Sequence, residues 1–165
     1  MKLFFGWKYA ARPLTAADVD EILAFCAENG QFYRYHPPTA TRESILEDMT
    51  ALPPGTGAEN KHYLGIFDGK VLIAVLDLIE HYPQKDVAYI GFFMTKKERQ
   101  SCGLGTALIG ELLDELRKAK FRRVRLAVDR GNPQSKAFWE KNGFVLTGEE
   151  LAHGTLTYLP MERGL

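Results

Sequence analysis

The stretch that decides the fold reads Thr95-Lys96-Lys97-Glu98-Arg99-Gln100-Ser101-Cys102-Gly103-Leu104-Gly105-Thr106. A strand-like run from Val87 to Met94 ends just before it, and a helical pattern starts inside it. From Gly103 to Lys120, Leu104, Ala107, Leu108, Leu112, Leu113 and Leu116 make one broad apolar helix face. Glycines at such a junction let the backbone approach a ligand closely. The first N–H groups of a helix have no intrahelical acceptor, and the helix dipole adds partial positive charge beside them. That combination binds phosphate, and Thr106 adds a hydroxyl donor.

Several phosphate readings compete. A P-loop requires G-x-x-x-x-G-K-S/T, and the residue after Gly105 is Thr106, with no lysine. A dinucleotide fingerprint wants a small residue where Leu108 stands and its first glycine directly after the strand. Asp129, at the end of the next strand, could still imitate its ribose-binding acid, so a dinucleotide-binding protein stays open as an alternative. A third reading is a loop for acyl-coenzyme A, and a fourth is a glycine loop without any ligand.

Outward from this stretch, strands and helices alternate. Leu3 to Ala11 reads as a strand broken by Arg12-Pro13. Thr15 to Asp18 resembles a capping box before Val19, Ile22, Leu23 and Cys26, with Asn29-Gly30 as the stop. Phe32 to His36 reads as a loop or a short extended piece, and Thr41 to Leu52 as a second helix. His62–Phe67 and Lys70–Ile79 flank Asp68-Gly69 as a hairpin, and Tyr82-Pro83 breaks the second strand. Val124–Val128 is a strand, Pro133–Asn142 a short helix, Gly143 its stop. Phe144–Leu146 and Thr155–Leu159 close the series. The order predicts an α/β (α+β) single domain over 1–165, with a mixed antiparallel and parallel sheet of about seven strands.

Composition narrows the function. Of 165 residues, 45% are hydrophobic and 25% charged, with a formal net charge of zero, so no global attraction to nucleic acid or anionic membrane is expected. No apolar run approaches the ~20 residues of a membrane span, and the N-terminus lacks a signal-peptide pattern. Two cysteines, Cys26 and Cys102, suit a reduced cytoplasmic protein and lack metal-ligand spacing. The basic run Arg117, Lys118, Lys120, Arg122, Arg123, Arg125 reads as a solvated face.

A second motif lies downstream: Asp129-Arg130-Gly131-Asn132-Pro133-Gln134-Ser135-Lys136-Ala137-Phe138-Trp139-Glu140-Lys141-Asn142-Gly143-Phe144. An asparagine after a strand, a helix with Ala-Phe-Trp, then Asn-Gly-Phe resembles the second signature of the GNAT superfamily of acyl-CoA-dependent N-acetyltransferases. Gln100 to Gly105 resembles that family's first signature, Arg/Gln-x-x-Gly-x-Gly, and the pair spans 87–144. The resemblance implies helices on both faces and two central strands splayed around acetyl-CoA, the cosubstrate. It implies that Phe93, Met94 and Thr95 bond the pantetheine arm. Gln100, Ser101, Cys102, Gly103, Leu104, Gly105 and Thr106 would hold the diphosphate, and Asn132, Ser135 and Trp139 would meet the arm or the thioester end. Helices within 1–60 would shape the pocket of a small-molecule or peptide amine, and exposed sheet edges make a homodimer reasonable.

Direct transfer needs a neutral amine, hence a base. Asp77 alternates with Val71, Ile73, Val75 and Ile79, so burial should raise its pKa; a structural ion pair is the plainer alternative. Glu80 and Tyr82 lie at the strand end and complete the catalytic candidates, while His36 and His62 read as structural or exposed. Family members often carry tyrosine where Trp139 stands, and an indole N–H has no useful acidity. Another hydroxyl, from Tyr82, Tyr89 or Tyr158, or an unassisted thiolate would replace it. An acyl-CoA-binding sensor with little catalysis is the alternative that Trp139 favours.

Overall fold

The chain enters the sheet at β1 (Ala10–Pro13), an edge strand antiparallel to β2 (Lys61–Asp68). The computed structural model describes residues 8–165, so the 3–7 part of the strand expected over Leu3 to Ala11 lies outside the described residues. Pro13 closes β1 rather than lying beyond it, and an edge position tolerates the missing N–H. Thr15 and Asp18 form the capping box, after which α1 (Val19–Glu28) begins. Asn29-Gly30 then departs from expectation. No left-handed cap forms there, and the backbone restarts as α2 (Gly30–Tyr35) where the sequence predicts a loop or extended piece. Phe32 meets Phe92 edge-on at 6.0 Å, a tertiary contact that local pattern does not carry. A second capping box, Thr41 with Ser44, starts α3 (Arg42–Thr50).

The hairpin of β2 and β3 (Val71–Glu80) closes at the pair Asp68 and Val71, so its loop is Gly69-Lys70. That is one residue later than the predicted Asp68-Gly69. Only Gly69 takes positive φ, at +60°, the pattern of a type II′ turn. β4 (Val87–Thr95) pairs antiparallel with β3, α4 (Leu104–Lys118) crosses over, and β5 (Arg123–Asp129) lies parallel to β4. After α5 (Pro133–Lys141) come β6 (Val145–Leu146), β7 (Leu151–His153) and β8 (Leu156–Gly164). The strand order is β1-β2-β3-β4-β5-β8-β6, with β7 also on β8. The eighth strand, β7, is short and exposed and has no sequence signal. β8 runs past Leu159 through Pro160, which sits opposite the break between β6 and β7.

Helices cover both faces. Leu108, Ile109, Leu112, Leu113 and Leu116 of α4, with Trp139 of α5 and Phe144, pack on Ile66, Leu76, Leu78, Ile90 and Leu126. Ile109 stands in place of the predicted Ala107, which is exposed. On the opposite face Val19, Ile22, Phe25 and Cys26 of α1 and Ile45 of α3 pack on Tyr63, Leu72, Val75 and Met94. Each such buried aliphatic contributes about 1.5–3 kcal/mol. The basic run is a solvated face that is partly ion-paired: Arg117 pairs with Asp114, Lys118 with Glu115, and Arg123 and Arg125 with Glu162, while Lys120 and Arg122 form no ion pair among the described residues. Among the described residues no helix is long and apolar enough to cross a membrane.

Candidate active site

The two parallel strands part company early. β4 and β5 pair only from Val87 with Arg123 to Tyr89 with Arg125. Beyond Tyr89 the β5-facing edge of β4 has no strand partner, which leaves backbone donors and acceptors open to a ligand. A bulge marks the same place, because Asp77 pairs with Phe92 while Leu78 pairs with Ile90, leaving Gly91 extra. From this gap a groove of about 870 Å³ runs to the start of α4. Phe93, Met94, Thr95, Gln100, Ser101, Gly103, Gly105, Thr106, Asn132, Ser135 and Trp139 line it, joined by Asn29 and Phe32 from the other face.

The loop before α4 leaves a run of backbone N–H groups without acceptors. Ser101 and Gly103 take positive φ, +60° and +85°. The Gln100 N–H is already bonded to the Lys97 carbonyl, whereas those from Ser101 to Thr106 have no acceptor among the described residues. Gln100 contributes its side chain differently, donating to Asn29 Oδ1 (2.7 Å) and to the Thr95 carbonyl (3.0 Å). That ties the loop to the end of α1. Cys102 donates its thiol to the Arg99 carbonyl (2.7 Å) and Leu104 turns into the core, so neither side chain lines the groove. A Cβ on Gly105 would stand 3.0 Å from the Phe138 ring, at the groove wall. Thr106 Oγ1 accepts from Asn142 Nδ2 at 3.4 Å, which leaves its own proton free to donate.

At the other wall, Asn132 caps α5 by accepting from the Ser135 N–H (3.2 Å). Trp139 is buried at 6% exposure among Phe93, Phe138 and Phe144. Its indole therefore packs on the α4 side of the gap.

The three catalytic candidates lie outside the groove lining. Asp77 is buried, and Lys61 Nζ, itself buried, donates to its Oδ2 (2.9 Å) and to the Ala51 carbonyl (2.8 Å). Burial pushes the Asp77 carboxyl up to about 6, against the opposing pull of Lys61. Oδ1 has no hydrogen-bond partner, and a Cβ on Gly91 would meet Oδ2 at 2.6 Å. The alternation that puts Asp77 beside Ile73 fails, since a bulge at Ile73 sends that residue to the α4 face. Val75 stays on the face of Asp77. Glu80 falls on the opposite face, 3.2 Å from His62 Nε2, close enough for attraction but misaligned for a hydrogen bond. Tyr82 lies at the far end of β3, edge-on to Tyr89 at 5.5 Å.

A pair that sequence order hides also lies outside the groove lining, one turn of α2 beyond the lining residue Phe32. His36, at the end of α2, places Nδ1 2.9 Å and 3.1 Å from the two oxygens of Asp129, the last residue of β5. Asp129 raises the His36 pKa, with burial acting against it. The ring stacks on Tyr158 at 6.1 Å. Ninety-odd residues separate the partners, and no local spacing announces the contact.

Comparison with known proteins fits this geometry. No curated protein matches the chain significantly. Among solved structures, an acetyltransferase from Thermus thermophilus superposes with TM-score 0.76 at 21% identity, over 100% of both chains. The PaiA N-acetyltransferase of Thermoplasma acidophilum, in complex with coenzyme A, gives 0.69 at 19%, over 95% of this chain and 99% of that one. The ribosomal-protein-S18-alanine N-acetyltransferase of Escherichia coli gives 0.63 at 18%, over 94% and 93%. These likenesses establish the fold. The sequence profile of the acetyltransferase (GNAT) family matches residues 17–144, which takes in α1, the parted strands, the loop before α4 and α5, and the chain belongs to that family.

Proposed function

We propose that the chain is an N-acetyltransferase that moves an acetyl group from acetyl-CoA directly to a primary amine within one ternary complex. The parting of β4 from β5 beside the loop before α4 is the observation that carries this reading. N–H groups from Ser101 to Thr106, including those of Cys102 and Leu104, hold the diphosphate, with the dipole of the fifteen-residue α4 behind them. The open edge of β4 at Phe93, Met94 and Thr95 bonds the pantetheine arm as a neighbouring strand would, and Asn132 meets it from the β5 side. A backbone N–H near the Gly91 bulge stabilises the oxyanion, and Trp139 walls the thioester end. The amine enters from the face of α1, α2 and α3, where Phe32 reaches the groove. It is a small molecule or the terminus of a peptide.

Titration calorimetry with coenzyme A and a thiol-release assay over alkylamines, arylalkylamines and short peptides test the reading. Micromolar binding with amine-dependent thiol release is expected. Binding of NAD in preference to coenzyme A, or coenzyme binding with no amine turned over, would overturn it.

A further inference from the structure

We propose that His36, held by Asp129, is the base that takes the proton from the attacking amine. The inference deepens the transfer reading and rests on it. His36 and Asp129 stand just outside the groove lining, and three observations set them at the rim of the gap. Asp129 lies four residues beyond Arg125, the last paired rung of β5, and Phe93 lies four beyond Tyr89 on β4 with the bulged Gly91 between them. The two therefore stand at neighbouring levels of the gap, and Phe93 lines the groove. Its carboxylate belongs to the face opposite α4, because Val124, Leu126 and Val128 point to α4. One turn before His36 on α2, Phe32 lines the groove and touches Phe92 of β4. The helix thus spans the gap from the β4 lip to the β5 lip.

The chemistry of the pair fits the task. With Nδ1 engaged by the carboxylate, the proton of neutral imidazole sits on Nδ1 and the lone pair on Nε2. No protein group is bonded to Nε2 among the described residues, and the side chain is 38% exposed. When the amine nitrogen attacks the thioester carbon, the N–C bond forms and the C–S bond breaks with its electron pair leaving on sulfur. One N–H proton passes to Nε2, and Asp129 stabilises the imidazolium. The same proton then goes to the thiolate, so amide and thiol leave neutral and the missing tyrosine at Trp139 is not needed. Asp77 cannot do this, since Lys61 occupies one oxygen and burial closes the other. The groups that face the imidazole are Asp129 of β5, Tyr158 of β8 and, at longer range, Asp48 of α3, which raises its pKa further.

Two measurements test the assignment. In the isotope-labelled full chain, NMR follows the His36 ring and the 101–106 amides as coenzyme A is added. Thiol release from acetyl-CoA is followed against pH with ethylamine as the probe amine. His36→Gln should bind coenzyme A as the wild type does and lose about a hundredfold or more in kcat, without the acidic limb of the pH profile. Asp129→Asn, a change at a positioning residue, should move that limb and the His36 titration to lower pH. Coenzyme A that shifts the 101–106 amides but not the His36 ring, or a limb unmoved in both variants, would sink the base while sparing the groove. Coenzyme A that shifts neither would bring down the groove and the base together.

Discussion

Gly103→Val separates the fold from the phosphate site. Gly103 precedes α4 with φ +85°, and a Cβ there would meet no atom within 4 Å. The folded chain therefore has room for the Cβ and bears chiefly the left-handed backbone cost of about 1–2 kcal/mol for an L side chain. For a domain of this size that lowers Tm by about 2–8 °C. The ligand feels more. Relaxing φ toward negative values turns a peptide of this loop, and losing one charge-assisted N–H contact to a diphosphate costs about 1.5–3 kcal/mol. The Kd for coenzyme A should rise about 10- to 150-fold. Thermal melts and titration calorimetry, with Gly103→Ala as a smaller step at the same φ, read the two effects apart. A lowered Tm with Kd within twofold of wild type would refute the assignment of this loop to the diphosphate.

Further outcomes follow from single contacts. Asp77 holds its proton up to about 6 when folded and only to about 4 when unfolded, so the folded chain binds more protons between those values. Wild-type stability should then fall relative to Asp77→Asn by roughly 3 kcal/mol as pH rises through that window, and level off above it. Urea unfolding at pH 4 and pH 7 measures this, and a constant difference between the two proteins would count against the buried carboxyl. Gln100→Ala strips the buried Asn29 Oδ1 of its donor and should cost about 1–3 kcal/mol; an unchanged urea midpoint would show that the tie is idle. Trp139→Tyr removes ring volume from the cluster of Phe93, Phe138 and Phe144 and should lower stability by about 1–3 kcal/mol without raising turnover. Faster thiol release by that variant would mean that the reaction lacks a phenol there, against the role given to His36.

The local chemistry of the chain was legible wherever neighbours in sequence are also neighbours in space. Gly103 and Gly105 announce a strand-to-helix turn with free N–H groups because both the turn and its donors lie within a few residues. Thr15 with Asp18 and Asn132 with Ser135 are caps of the same kind. The pairing of the Gln100 and Asn132 motifs sufficed for the family resemblance and for most of the groove wall. The leucines of α4 likewise declare their buried face through their spacing.

Tertiary packing decided what alternation and composition could not. A bulge at Ile73 and another at Gly91 reset which side chains share the face of Asp77, and a period-2 reading has no means of counting an extra residue. α2 is helical where the local pattern suggests a loop, and its Phe32 meets Phe92 some sixty residues away. The opening between β4 and β5 exists only when two parallel strands stop pairing after three rungs. His36 and Asp129 illustrate the limit most clearly: each looks ordinary in its own segment, and only chain folding over ninety-odd positions brings imidazole and carboxylate to hydrogen-bond distance. Sequence by itself therefore specified most of the elements and the glycine turn ahead of α4, which short-range backbone chemistry dictates. The helical α2 and the His36–Asp129 pair depend on contacts between distant segments, so the tertiary structure alone decided them.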